Sequence, residues 1–247
     1  ISRLSIMATD NNTLTRPTFC APQSEIRNPF EGHELWAACY DEFPNPLLHL
    51  EERCLTQILP DLGGFSIADV GCGTGRWLRR WVTQGPKLCI GVDFSPAMLG
   101  RAQAEARLRG RLIQAELPQI PLRTESMDVA ICAFVLGYLP QLSPFAEELG
   151  RILRPGGRLF CTDLHPATQE LGWKRSFRLA DKAIEIRSRP RSVEEVSDCF
   201  DSNFTQVAPK VFWLGDPERP LFEQAGKLDL FEQASRYPSL IIFEWRK

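Results

Sequence analysis

Three glycines at alternate positions, Gly71, Gly73 and Gly75 in ADVGCGTGRW, carry the densest chemical signal in the sequence. Glycine admits backbone angles closed to other residues and leaves no side chain where a ligand would press against the main chain. The apolar run SIADV stops abruptly at the first of them, and RWLRRWV follows with Trp77, Leu78 and Trp81 on one helical face. The reading is strand, tight turn, helix. A helix that starts in this way turns free N–H groups and a positive dipole end toward a negatively charged ligand. A second apolar run, LCIGVD, ends in Asp93, 18 positions after Gly75. A carboxylate there can accept hydrogen bonds from both hydroxyls of a ribose and would clash with a phosphorylated one. His165, in DLHP, follows another apolar run. It titrates near neutrality and is the first candidate for taking a proton from a hydroxyl, against the favoured reading of a histidine that only hydrogen-bonds its loop.

Three readings fit the glycine turn. The first is a strand-to-helix turn with no ligand, in which Asp93 is an ordinary helix cap. The second is a nicotinamide dinucleotide site, which wants GxGxxG; Arg76 stands at the sixth position, where glycine lets the helix pack close to the strand. A phosphate loop is excluded because no GK[ST] follows. The third is S-adenosylmethionine, whose carboxylate and amino group need a tight turn without a pyrophosphate cradle. The position of Asp93 beside the turn favours a ligand.

Around these residues the chain alternates strand and helix patterns. SPAMLGRAQAEARLRG reads as a helix with Ser95 as its cap and Pro96 in its first turn. RLIQA (111–115) is a third strand and MDVAICAFVL (127–136) a fourth, apolar nearly throughout, as expected of a strand covered on both faces. Ser143 and Pro144 open a helix closed by RPGG, and GRLFCTDL (157–164) is a fifth strand. The expected fold is α/β: a doubly wound, mostly parallel sheet with right-handed crossovers. Residues 31–62 read as helical. Beyond His165, FRLADKAIEIRS reads as a hairpin, and SVEEVSDCF opens with a capping box from Ser192 to Glu195. KVFWL and SLIIFEW are late strands that bracket one helix around LFEQAGKLDLFEQA.

A length of 247 residues suits one large domain (26–247), and a formal net charge of −2 argues against binding a polyanion such as nucleic acid. No run approaches the ~20 apolar residues of a membrane span. Residues 1–25 lack the apolar core of an export signal and read as a mobile polar tail, with Met7 a candidate start. Eight scattered cysteines, without CxxC spacing, point to a reducing cytoplasm, with Cys89, Cys132 and Cys161 inside buried strands. Three histidines without ligand spacing make a structural metal site an unsuitable reading.

Taken in order, DVGCGTG, GVDFSPAML, QAELPQIPLRTESMDVAI and RILRPGGRLFCTDLHP span about residues 66–166. Together they resemble the class I S-adenosylmethionine-dependent methyltransferases of the ubiquinone/menaquinone-biosynthesis and general small-molecule group. The resemblance implies a Rossmann-like sheet of seven strands, mostly parallel with an antiparallel last strand. It implies that Asp69 orders the glycine turn, that Gly71, Gly73 and Gly75 line the cofactor, and that Asp93 holds its ribose. Phe94 and Met98 then flank the adenine, Glu116 and Leu117 stand where the family carries Asp-Ala, and Phe134 lies beside the methionine part. HELWAACYDEFPNP resembles a lid, with Tyr40 closing over the site; for Tyr40 a plain aromatic anchor competes equally. His33 could join His165 in proton transfer from this lid, against the favoured reading of a solvated histidine. Tyr138 stands where many relatives carry histidine and is expected to shape the acceptor pocket. Residues 167–215 are expected to roof it, with Arg175 and Arg178 as candidates for pairing with an acidic acceptor.

The implied reaction is methyl transfer from S-adenosylmethionine to a small molecule at oxygen, nitrogen or carbon. The alternatives are methylation of a protein or RNA, and a non-catalytic scaffold subunit that keeps the fold; an oxidoreductase comes third because of Arg76.

Overall fold

The computed structural model describes residues 25–42, 44–169 and 171–247. Met7, Cys20 and the first 24 positions of the expected tail lie outside the described residues. Glu25, read as the end of that tail, instead begins a short strand, β1 (Glu25–Arg27).

A seven-stranded sheet forms the centre. Its strands are β2 (Ser66–Val70), β3 (Leu88–Asp93), β4 (Leu112–Gln114), β5 (Met127–Ala133), β6 (Leu153–Leu164), β9 (Thr205–Phe212) and β10 (Leu240–Arg246). They lie in the order β4-β3-β2-β5-β6-β10-β9. All pairs from β4 to β6 are parallel, whereas β10 runs antiparallel to both β6 and β9. The chain winds outward from β2 to β4 on one side, then returns to place β5 on the other side of β2. The crevice above the carboxyl ends of β2 and β5 is therefore the switch point where open α/β sheets hold ligands.

Both faces are covered, which explains the apolar strands. Ala68 and Val70 face one core with Phe145, Leu149 and Ile152 of α5 (Ser143–Ile152) and Phe200 of α6 (Val193–Phe200). The alternate residue Ile67 faces the other core, with Leu50 and Leu55 of α2 (Pro46–Ile58) and Leu78 and Trp81 of α3 (Arg76–Trp81). Period-two alternation sends successive side chains to opposite layers.

Several local expectations change. The α5 helix is capped by Leu142 without a side-chain bond, because the Ser143 hydroxyl turns to the Cys199 thiol at 3.6 Å. RPGG lies within β6, which already starts at Leu153. The late helix is two, α7 (Arg219–Gln224) and α8 (Leu228–Ala234), divided at Gly226 with φ of 64°. Ser192 caps α6 by accepting from the Glu195 N–H (3.0 Å), while the Glu195 carboxylate binds Arg191 instead of closing the box. The expected hairpin is present as β7 (Ser176–Leu179) and β8 (Lys182–Ile186). Unforeseen, β1 adds to it in parallel, giving a separate sheet β1-β8-β7.

That small sheet carries α1 (Pro29–Trp36). Gly32 packs so closely that a Cβ there would lie 2.7 Å from Ile186. From its other side Glu34 accepts hydrogen bonds from the Ser95 hydroxyl (2.5 Å) and the Ala97 N–H (3.0 Å) at the start of α4 (Pro96–Gln103). Asp41 accepts from the Thr74 hydroxyl (3.0 Å) just before α3. The N-terminal segment is thus tied across the switch point.

Candidate active site

Between that segment and the strand ends lies a cavity of about 690 Å³, within the size range of small-molecule sites. The floor is built by the glycine turn. Gly71 and Cys72 donate their N–H groups to the Val92 carbonyl (2.7 and 3.0 Å), which folds the turn against β3. All three glycines have positive φ, 80°, 53° and 79°, where a side chain is strained. Their surroundings differ. A Cβ on Gly71 would overlap Val135, and one on Gly75 would lie 2.8 Å from Leu108, but one on Gly73 meets nothing within 4 Å. Gly71 and Gly73 border the cavity; Gly75 does not, since it serves the packing of α3 against α4.

Asp93 sits at the mouth of β3. Its Oδ2 accepts from the Gly73 N–H (2.8 Å) and its Oδ1 from the Ser95 N–H (2.9 Å). Burial pushes its pKa up while these N–H groups draw it back. A carboxylate offers about four acceptor positions, so capacity remains for a ligand hydroxyl. Phe94, Met98, Glu116 and Leu117 form one wall, and Phe134 and Tyr138 another. Phe134 holds φ of 59° although it is not glycine; its N–H donates to Thr162 (2.8 Å) and its carbonyl accepts from Arg175 (2.8 Å), and such strain persists only where neighbours over-determine it.

Asp69 does not border the cavity. It lies behind the turn, 2% exposed, and burial pushes its carboxyl up to about 8, against the pull of Arg76 and with further push from Asp93 and Glu51. Glu51, on α2, escaped the sequence reading. Fully buried, it accepts from Arg76 (2.6 Å), the Trp77 indole (3.1 Å) and the Thr162 hydroxyl (3.1 Å). The signal was a glutamate inside the stripe Leu50, Cys54, Leu55. Arg76 is thereby explained: it neutralises a buried carboxylate instead of making room for a dinucleotide.

Tyr40, expected in the lid, borders the cavity and stands edge-on to Trp36 at 4.7 Å, and burial raises its phenol to about 12. His33, read as solvated, also borders the cavity. Its ring stands edge-on to Tyr138 (4.8 Å) and Phe94 (5.6 Å).

The candidate base His165 does not reach this cavity. It borders a separate 40 Å³ pocket on the far side of Leu164, and its Nδ1 accepts from the Ala167 N–H at 3.2 Å. It holds its own loop. Arg178 is exposed and absent from the cavity wall. Arg175 is at the wall, but its charge is engaged: it pairs with Asp163 and lies over the Tyr138 ring at 4.7 Å. Neither arginine is a free partner for an acidic acceptor. Asp163 also receives the Gly137 N–H (3.1 Å), so the pair locks Tyr138 in place.

A family described as "Methyltransferase domain" matches residues 68–161. A demethylmenaquinone methyltransferase from Chlamydia pneumoniae is 32% identical over 182 residues, covering 72% of this chain and 76% of that one. The chain belongs to the S-adenosylmethionine-dependent methyltransferase family. A second demethylmenaquinone methyltransferase, from Lactococcus lactis, is 34% identical over 162 residues, 63% of this chain and 58% of the relative. The chain spans about half the length of several curated relatives that it matches. An S-adenosylmethionine-dependent methyltransferase structure from Mesorhizobium loti superposes with a TM-score of 0.64 at 22% identity, covering 80% of this chain and 98% of that one, which shows the fold. Among the described residues no helix is long and apolar enough to cross a membrane, no cluster could hold a metal ion, and all seven cysteines are free thiols.

Proposed function

We propose that this protein transfers a methyl group from S-adenosylmethionine to a small-molecule acceptor. The observation that carries the proposal is one cavity, at the switch point, bordered by both the open Gly73 backbone and the Asp93 carboxylate. The residues fit the cofactor. Asp93 has spare acceptor capacity for the ribose, Gly73 leaves room where a Cβ would intrude, and Phe94, Met98, Glu116 and Leu117 form a slot suited to adenine. Phe134, Tyr40 and the turn enclose the remaining end, with Asp69 ordering the turn from behind.

When bound, the cofactor supplies a methyl group on a positively charged sulfur. The chain's own contribution is to hold an acceptor in line behind that methyl and to exclude water, which by itself supplies much of the acceleration. Tyr138, fixed by Arg175 and Asp163, shapes the acceptor side. In this reading residues 26–247 act as one methyltransferase domain, with 66–166 as the cofactor core, 31–62 as the cover and 167–215 as the roof. Relatives named for demethylmenaquinone, phthiotriol and malonyl-[acyl-carrier protein] acceptors support a small acceptor. The −2 net charge supports no nucleic-acid partner, and the free thiols support a cytoplasmic setting.

Isothermal titration with S-adenosylmethionine, its demethylated product and NAD tests the reading. Micromolar binding of the first two is expected; binding of NAD alone overturns it. Incorporation of labelled methyl into small-molecule, protein and RNA fractions then separates the acceptor classes.

A further inference from the structure

His33 is held in one tautomer by its own helix. Its Nδ1 lies 2.6 Å from the Pro29 carbonyl oxygen, which can only accept, so Nδ1 carries the proton and donates. The remaining ring nitrogen, Nε2, is then a lone-pair acceptor, and none of the described hydrogen bonds engages it. The ring borders the cavity and stands against Phe94 and Tyr138. The charged and titratable groups facing it are Tyr138, whose ring it meets, Arg175, which lies over that ring and is paired with Asp163, and Glu34 on its own helix, which is turned to Ser95. Among the described residues no carboxylate is paired with the imidazole. Burial, together with the Arg175 charge, holds its pKa below the ordinary value despite the Pro29 bond. His33 is therefore neutral and able to accept a proton at pH 7.

The cavity around it is aromatic. Phe30, Trp36, Phe94 and Tyr138 present ring faces and edges within one enclosure, which favours a flat apolar body over a charged one.

We propose that His33 is the base that takes the proton from a hydroxyl acceptor borne on a flat, apolar aromatic molecule. The proposal rests on the methyl-transfer reading. In the step, the acceptor O–H bond breaks and its proton passes to Nε2. The oxygen electron pair forms the new bond to carbon, the carbon–sulfur bond breaks with its pair left on sulfur, and the imidazolium returns its proton to solvent. The Arg175 charge disfavours a resting imidazolium. The Glu34 contacts to Ser95 and Ala97 set where the base stands.

The test uses the full chain and His33→Asn, whose amide can keep the donor to Pro29 while removing the Nε2 lone pair. Acceptor probes are 1-naphthol and a nitro-substituted naphthol already ionised at the assay pH. With 1-naphthol the variant should lose about 10²–10⁴-fold in kcat/KM, and the acidic limb of the wild-type profile, below pH 6.5, should vanish. With the ionised acceptor the loss should shrink to a few-fold, and added imidazole should restore part of the 1-naphthol rate. Binding of the demethylated cofactor should be equal in both proteins. Nitrogen NMR of the imidazole should show Nδ1 protonated and Nε2 free at pH 7.

Equal losses on both acceptors would make His33 a packing residue and overturn the proposal. So would NMR showing Nδ1 unprotonated, or no methylation of either naphthol by a wild-type chain that binds the cofactor product. A wild-type chain that fails to bind that product at all would instead sink the methyl-transfer reading beneath it.

Discussion

Adding one methyl group at Gly71 and at Gly73 should separate folding from ligand binding. Both residues have positive φ, so alanine costs about 1–2 kcal/mol of backbone strain at either site. At Gly71 the new Cβ overlaps Val135, which sits directly after β5; overpacking adds about 1–3 kcal/mol. The total, about 2–5 kcal/mol, should lower Tm by roughly 4–20 °C for a chain of this size. At Gly73 nothing lies within 4 Å of the new Cβ, so only the strain applies, and Tm should fall by roughly 2–8 °C. The added methyl projects from the backbone that borders the cavity, beside the N–H that Asp93 accepts (2.8 Å). It occupies space assigned to the cofactor and should weaken its binding by at least about tenfold, about 1.4 kcal/mol. Differential scanning fluorimetry and calorimetric titration of the demethylated cofactor on both variants give the two readouts. A Gly73→Ala protein that binds as tightly as wild type would refute the placement of the cofactor against the turn. A Gly71→Ala protein no less stable than Gly73→Ala would refute the packing argument.

Asp69→Asn should change how stability depends on pH. The folded carboxyl titrates at about 8, above the ordinary ~3.9, so the ligand-free folded state holds the extra proton between those values. Its stability contribution is complete below pH ~4 and is lost as pH rises toward 8, by at most about 1.4 kcal/mol per unit. Denaturant midpoints of wild type should therefore fall from pH 5 to pH 8 more steeply than those of the variant; parallel trends would show Asp69 to be ionised throughout. Glu51→Ala leaves the Arg76 guanidinium buried, with the 3.7 Å contact to Glu52 as its remaining ion pair among the described residues, and should cost about 3–5 kcal/mol; a loss under about 1 kcal/mol in urea unfolding would mean that solvent reaches Arg76. His165→Ala removes one acceptor from the Ala167 N–H and should cost about 0.5–1.5 kcal/mol of stability. It should leave methyl transfer within about twofold; a hundredfold loss would reinstate it as the base.

What could be read from the sequence, and what could not, divides by the range of the forces involved. The glycine turn, the Ser95 cap and the position of Asp93 are local: each follows from a few consecutive residues whose backbone demands leave one solution. Ser95 accepts from the Met98 N–H at 3.1 Å as its position requires, and β2 and β3 keep the bounds that their apolar runs imply. His33 and Glu51 were misplaced or missed because their environments are made by distant segments. A histidine on a polar eight-residue helix looks solvated until Glu34 ties that helix to Ser95, 61 positions away. A glutamate next to leucines looks like a helix edge until Arg76 and Thr162 meet it from two other elements.

His165 fails for the opposite reason. The rule that ligands gather at the carboxyl ends of strands is correct for Leu164, which borders both pockets, but one residue later the chain has turned to the far side. A proton acceptor is therefore better sought on the covering segment than at the strand end. The strand ends hold groups that must stay fixed, such as Asp93 and Phe134. His33 stands on the segment that Glu34 and Asp41 tie to Ser95, Ala97 and Thr74, so those contacts fix its ring at the cavity. In the proposed reaction, proton removal and exclusion of water therefore depend on the same contacts.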